Sequence, residues 1–595
     1  MIAAFVPLGA QDVPKGWIWP GRCGHTAGMR ALIWLVFAAV GCAGEYSPLR
    51  QVNAGNVGKL RQAWVYRTGE SLQALPGGGR PPAFEATAVY AHGLLYISSP
   101  FGKVVALEPE SGRVRWERQI AIDRKGNYGD FASRGVAVWR DRIFVATIDA
   151  KLVALDALTG APSVGFVAPD LKLGLVRGPE YSGEYEQTSP PAVIGDLVIT
   201  GSAVADNHRA DSPTGEVRAW DARTGKLVWT WHPTGGKTGG ANAWSLIRLD
   251  AARGLVFVPT GSASPDYFGG ERPGENKWAN SVVALEAKTG KLQWGFQTVH
   301  HDIWDYDVAS PPELYTVGGR AAVAVGSKTG HVFLLDRVTG KPLFPVEERA
   351  VPRTELENAS PTQPFPSKPP SLVPQRFEAA NAACAEWAAK LRNEGMFTPP
   401  SVQGSLILPG NIGGLHWGGL AWSPAESLLI APVNNLPAVI RLIPRAEFSK
   451  EKGRRLQGVE MTSQRGAAFG MSRELMRGAD GLPCGKGPYG SLVAVDTVSG
   501  EIRWSTALAS INLGGPLATA GGLVFLGATL DPFLKAYETK TGREVWRGAL
   551  PASARSTPMS FSHQGKQYIV IAAGGHDPSL GPLDNAMVAF ALDDQ

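Results

Sequence analysis

The nine residues Val299-His300-His301-Asp302-Ile303-Trp304-Asp305-Tyr306-Asp307 hold three carboxylates, two imidazoles and two aromatic rings at the end of a strand-like run, Leu292 to Thr298. A buried carboxylate must be paired, hydrogen-bonded or bound to metal. A charged and aromatic cluster leaving a strand therefore suits a ligand pocket better than a packed core. The residues alone leave two readings of Asp305 open, a working carboxylate in a pocket or a cap on a turn.

The chain that must position this cluster has 595 residues, 44% of them hydrophobic, which is enough for a large core and excludes global disorder. Its formal charge of +5 is scattered, with no long basic block, so nucleic-acid binding has no support. A small basic surplus can assist contact with anionic lipid. The four cysteines, Cys23, Cys42, Cys384 and Cys484, include no CxxCH haem-attachment site. Cys384 and Cys484 are either a disulfide of an exported protein or two buried thiols. Met29-Arg30 precedes the short apolar run Ala31 to Ala43, which reads as a secretory signal or an N-terminal anchor across residues 1–45. Ala39-Val40-Gly41-Cys42 is a loose lipoprotein-type site, so Cys42 is a candidate for lipidation.

From Leu60 onward the chain reads as short apolar strands broken by glycine and polar turns. One phrase recurs, as Val105-Ala-Leu-Glu-Pro-Glu-Ser-Gly112 with Trp116, Val153-Ala-Leu-Asp-Ala-Leu-Thr-Gly160, and Ala219-Trp-Asp-Ala-Arg-Thr-Gly225 with Trp229. It continues as Val283 to Gly290 with Trp294, Leu334 to Gly340, Val493 to Gly500 with Trp504, and Ala536 to Gly542 with Trp546. Glycine supplies the unusual backbone angle of the turn, and the Asp, Glu, Ser or Thr side chains bond its amides. A β-meander repeated at such intervals predicts a propeller, with the tryptophans filling the seams between blades. Seven visible turns and at least one hidden in the 160-residue step from Gly340 to Gly500 predict eight blades across residues 46–595. Ala63-Trp64-Val65-Tyr66 is expected to close the ring against Met587 to Leu592. Two excursions interrupt the repeat, near residues 345–400 with one helix from Phe377 to Glu394, and near 445–488 with little strand pattern. Both are expected to be pocket walls.

The motifs Tyr46-Ser-Pro-Leu, Asn56-Val-Gly-Lys-Leu, Thr188-Ser-Pro-Pro, Thr298-Val-His-His-Asp-Ile-Trp-Asp, Phe397-Thr-Pro-Pro-Ser, Leu442-Ile-Pro-Arg and Ala573-Gly-Gly-His occur in this order. Together they resemble the quinoprotein dehydrogenases that use pyrroloquinoline quinone, most closely the propeller domain of the membrane-bound glucose dehydrogenase type. The resemblance implies that Asp305 is the base beside the cofactor-bound metal and that Lys328 faces the quinone oxygens. It implies Arg134 on a cofactor carboxylate, Trp244 as the flat floor under the quinone, and Thr188, Asn434 or Asn435, and Asp531 as further pocket contacts. Asp206, Asn207 and Asp305 are the implied ligands of Ca²⁺, or of Mg²⁺.

There are departures. Asp130 stands where the glucose type has a histidine four residues before the arginine, and the alcohol type's vicinal cysteine pair is absent from Asp130-Phe131-Ala132-Ser133. The alcohol type's glutamate near Asp206 and asparagine near Ser262 have no clear match. The resemblance implies a periplasm-facing enzyme oxidising an aldose or polyol, glucose to gluconolactone first, with a membrane quinone as electron acceptor. The alternatives are a quinate-like or simple-alcohol substrate, or a non-catalytic propeller similar to the lipoprotein that assists outer-membrane β-barrel assembly.

Overall fold

The computed structural model describes residues 46–593 apart from 73–81, 454–457 and 579, so the expected signal or anchor and Cys42 lie outside the described residues. Among the described residues no helix is long and apolar enough to cross a membrane.

The recurring phrase builds antiparallel meanders. Val89–Ala91, Leu94–Ser98, Lys103–Leu107 and Val114–Gln119 pair in chain order, as do Arg248–Asp250, Leu255–Pro259, Ser281–Glu286 and Leu292–Gln297. Their middle strands carry Val, Ile, Leu and Phe and are buried on both faces, because each sheet is sandwiched between its neighbours. Apolar clusters run from sheet to sheet; one joins Ile199 and Val217 to Val256 and Val283. The strand Leu60–Arg67 pairs with Ala586–Leu592, Trp64 opposite Ala589, and closes the expected join between the two ends of the chain.

The repeat turns behave as their residue types require. Asp156 Oδ1 accepts the amides of Leu158 and Thr159 at 3.1 and 2.8 Å, and Asp221, Asp336 and Asp496 do the same in their own turns. Trp116 Nε1 donates to Ala157 O at 2.9 Å, Trp229 Nε1 to Ala287 O at 2.9 Å, and Trp504 Nε1 to Thr539 O at 3.0 Å. Each ring thus docks on the turn of another sheet, as expected of seam residues. Gly290 shows why the turn ends in glycine. Its φ is +69°, and a Cβ there would lie 2.5 Å from Cε3 of Trp229. Gly290→Ala is therefore expected to cost on the order of 2–3 kcal/mol, from the left-handed backbone and the displaced ring together. A denaturant titration would show it as a lowered midpoint.

The excursions differ from expectation. The helix spans only Ala382–Ala388, capped by the Asn381 side chain on Cys384 N. The residues before it are drawn into backbone pairing instead, Ala380 N donating to Cys484 O at 2.8 Å beside the Cys384–Cys484 disulfide. The second excursion is not strand-poor. After the helix Arg445–Lys452 it supplies Glu460–Thr462 and Phe469–Leu475 to a sheet ordered Ser405–Ile407, Ala438–Pro444, Phe469–Leu475, Glu460–Thr462. Phe-Gly-Met-Ser-Arg-Glu-Leu has no alternation to betray a strand; its pairing with Ala438–Pro444 makes it one.

Candidate active site

Most of the opening nine-residue cluster is scaffold. Asp302 is buried and its carboxylate accepts the amides of Trp304 and Tyr306 at 3.0 and 2.9 Å, Asn280 Nδ2 at 2.9 Å, and Ser262 Oγ. His301 is held by Gly274 O and Glu357, and His300 by Gln297 and Glu348. Trp304 Nε1 donates to Thr398 O and Tyr306 OH to Pro409 O, both at 2.8 Å, so these rings belong to the core. This clamp pushes Asp305 into a left-handed conformation, φ 61°, and leaves Asp305 and Asp307 as the carboxylates that face the site.

Lys328, in the turn between Arg320–Gly326 and Val332–Asp336, bridges them, with Nζ 2.6 Å from Asp305 Oδ1 and 2.8 Å from Asp307 Oδ2. The same ammonium lies 5.9 Å from the Trp244 ring centroid, and Trp244 Nε1 donates to Asp307 Oδ2 at 3.1 Å. Three residues expected from sequence, Asp305, Lys328 and Trp244, thus meet around a fourth, Asp307. The other oxygen of Asp305 accepts Tyr267 OH at 3.1 Å and Arg473 Nη1 at 3.2 Å, two contacts that sequence reasoning missed.

Burial pushes the Asp305 carboxyl up to about 6 against the pull of Lys328. Burial acts likewise on Asp206, reinforced by Asp307 and Asp305, and takes it to about 8. Asp266, also unmarked in the sequence, is held well above the usual carboxylate range by burial and by Asp206, Asp305 and Asp307, and its buried Oδ1 has no hydrogen-bond partner among the described residues. Lys328 is pulled down by burial but held above its ordinary value by Asp305 and Asp307. Asn207 is buried beside Asp206. Among the described residues no three His, Cys, Asp or Glu side chains already form a metal cage. The all-oxygen donors and the unpartnered Asp266 oxygen nevertheless fit a hard divalent cation that completes its shell with a ligand.

The raised carboxyls carry a stability consequence. Folded values of about 6 and 8 stand above an ordinary 3.8, so the folded state binds more protons than the unfolded state between these limits. The metal-free protein is therefore expected to lose stability as pH rises from 5 to 8. Added Ca²⁺ should offset the loss at pH 8 by binding the folded state. Thermal melts at the two pH values, with and without Ca²⁺, check both signs.

Arg134, nearly inaccessible to solvent, donates Nη1 to Thr188 Oγ1 and Nη2 to Asp130, each at 2.6 Å, and pairs with Glu85 at 2.9 Å. Its guanidinium lies 5.6 Å from the Trp244 ring and 4.7 Å from Trp417, an aromatic face not foreseen. Arg555 joins the same cluster through Glu85 at 2.8 Å. Nearby, His576 bonds Ser553 Oγ through Nδ1, while its buried Nε2 has no partner among the described residues and burial lowers its pKa to about 3. Asp130, in place of the expected histidine, thus neutralises the arginine. Two guanidinium groups, one of them flanked by tryptophans, and a polar imidazole nitrogen fit a flat ligand rich in hydrogen-bond acceptors.

Two expected contacts are committed elsewhere. The Asn434 amide exchanges hydrogen bonds with Asn512 backbone N and O, both at 2.8 Å, and reaches the Lys328 turn only through Gly414. Asn435 Nδ2 donates to Lys486 O at 3.1 Å. Asp531 pairs with Lys535 at 2.5 Å.

Comparison with known proteins gives the family of the chain. The family model of the glucose/ethanol/alcohol dehydrogenase β-propeller domain, defined by pyrroloquinoline quinone, matches residues 34–569. The chain is 33% identical to quinoprotein glucose dehydrogenase of Escherichia coli over 92% of its own length and 77% of that protein's. It is 30% identical to quinate/shikimate dehydrogenase (quinone) of Acinetobacter baylyi, covering 92% of this chain and 77% of the relative. The solved quinohemoprotein alcohol dehydrogenase of Comamonas testosteroni superposes with a TM-score of 0.69 at 25% identity, covering 93% of this chain and 79% of the other.

Proposed function

We propose, for a chain that belongs to the pyrroloquinoline-quinone-dependent dehydrogenases, the oxidation of an aldose or polyol, with glucose to gluconolactone as the leading reaction. The observation that carries this reading is the buried Asp305 carboxylate, tied through Lys328 and Asp307 to the Trp244 ring.

Asp305 takes the proton of the substrate hydroxyl; a raised carboxyl still ionised at neutral pH is suited to that task. Lys328, fixed by two carboxylates, places positive charge where negative charge develops. Bound pyrroloquinoline quinone supplies the electrophilic carbonyl that accepts the hydride. Arg134, Thr188 and Trp244 would hold that group, with Asn434 and Asp531 as outer supports of the Lys328 turn and the pocket wall. Asp206, Asn207 and Asp305 would hold Ca²⁺ or Mg²⁺, and Asp266 joins them as a fourth oxygen donor of the cluster. The resemblance supports the rest of the reading: eight blades, an export signal or anchor before residue 46, a periplasm-facing location and a membrane quinone as acceptor.

A glycerol dehydrogenase large subunit of Gluconobacter thailandicus, 32% identical over 94% of this chain, keeps small polyols within the same class. The test is dye reduction by the purified protein after adding pyrroloquinoline quinone and Ca²⁺ or Mg²⁺, across glucose, other aldoses, quinate, glycerol and small alcohols. Cofactor-dependent turnover ranked toward polyhydroxylated substrates is expected. Preference for a simple alcohol would overturn the substrate assignment.

A further inference from the structure

We propose that Arg473 and Tyr267 form the substrate-reading edge of this site and select a neutral polyhydroxylated substrate by gripping a hydroxyl beside the one that is oxidised. The proposal rests on the reading of Asp305 as the base.

The two oxygens of Asp305 have different company. Oδ1 belongs to Lys328, whereas Oδ2 forms a triangle with Tyr267 OH at 3.1 Å and Arg473 Nη1 at 3.2 Å, the last two being 3.0 Å apart. Arg473 is held in advance. Its Nε and Nη2 are both bonded to Glu460 at 3.0 Å, directly across the pair of strands, which leaves Nη1 as the donor aimed at the site. Tyr267 is fully buried and its amide donates to Gln464 Oε1 at 3.2 Å, so the second excursion fixes both partners. That excursion also braces the Asp206 loop, since Arg465 N donates to His208 O and Ala210 N to Arg465 O, each at 2.8 Å.

A substrate hydroxyl delivering its proton to Oδ2 therefore meets an oxygen flanked by a phenol and a guanidinium. On a polyol, the oxygen of the neighbouring carbon would take over the Nη1 hydrogen now shared with Asp305 Oδ2, once Oδ2 accepts the substrate proton. A simple alcohol offers nothing there, and a site built to bond a hydroxyl discriminates against the analogue that lacks it. The substrate is neutral because Arg473 already carries Glu460 and shares Asp305, with Asp307, Asp206 and Asp266 close by; a second carboxylate would enter an acidic surround.

The experiment compares Arg473→Leu and Arg473→Lys with the wild type, using glucose, glycerol and 1-propanol for kcat/KM and calorimetry for glucose binding to the cofactor-loaded protein. Loss of a charge-assisted hydrogen bond predicts that Arg473→Leu lowers kcat/KM for glucose and glycerol by about 10–100-fold. The fall for 1-propanol should be clearly smaller, limited to what the lost bond to Asp305 Oδ2 contributes, and Arg473→Lys should recover part of the loss for glucose and glycerol. Glucose affinity should weaken by a similar factor while the titration of pyrroloquinoline quinone is unchanged. An equal fall for all three substrates would reduce Arg473 to a positioning residue for Asp305 and overturn the proposal. So would no fall at all, or a wild-type preference for quinate over glucose and glycerol. A wild type that binds glucose through Arg473 without turnover would count against the oxidoreductase reading and leave the edge standing.

Discussion

Asp305→Asn is expected to lower kcat by about 10³–10⁴-fold with little change in fold, because the amide cannot accept the substrate proton. The variant keeps the shape of the side chain, and the clamp that sets the turn belongs to Asp302, not to Asp305. Lys328 also keeps its second partner, Asp307. Stopped-flow reduction of the loaded enzyme by glucose would isolate the step. A fall of less than about 10-fold would remove Asp305 from the role of base. In the wild type the same carboxylate must be ionised to act. Activity is therefore expected to fall as pH drops through about 6, or lower once a cation at the carboxylate favours its charged form.

Lys328→Met is expected to show two large effects that separate with pH. It leaves Asp305 and Asp307, both buried, without their shared cation. Removing one partner of a buried ion pair costs about 3–5 kcal/mol, so the metal-free variant should unfold at much lower denaturant at pH 8. At pH 5 the Asp305 carboxyl can take up a proton, and the deficit should shrink. Turnover should fall by about 10²–10³-fold at any pH, since the charge aimed at the developing anion is gone. Stability equal to the wild type at pH 8 would show that the ammonium is not the partner the geometry makes it.

What was legible in the chain followed from local chemistry. The acid-turn-glycine phrase states its own hydrogen bonds, so the meanders, the docked tryptophans and the closing strand from Leu60 could be read from spacing. Asp305, Lys328, Trp244, Arg134 and Thr188 could be named as candidates because a known motif order carries them, and the structure brings them together. Arg473 was invisible. It reaches Asp305 across 168 residues from a strand with no hydrophobic alternation. Asp266 looked like one more acid after a proline, and Asp307 like the tail of a motif. Only burial beside other carboxylates gives them a role. His300 and His301 misled in the opposite sense, since imidazoles next to a carboxylate suggest chemistry until glutamates and backbone carbonyls are seen to satisfy them.

The pairing of Leu60–Arg67 with Ala586–Leu592 also sets an order of events. The neighbour of this early strand comes from the far side of the repeat, so the sheet they share stays unfinished until Ala586–Leu592 has been made. Until then the ring has two open edges, each a template for a wrong strand. A protein built this way stays open until that strand arrives and is then locked in one step. Removing Ala586–Leu592 would therefore strand Leu60–Arg67 without its neighbour.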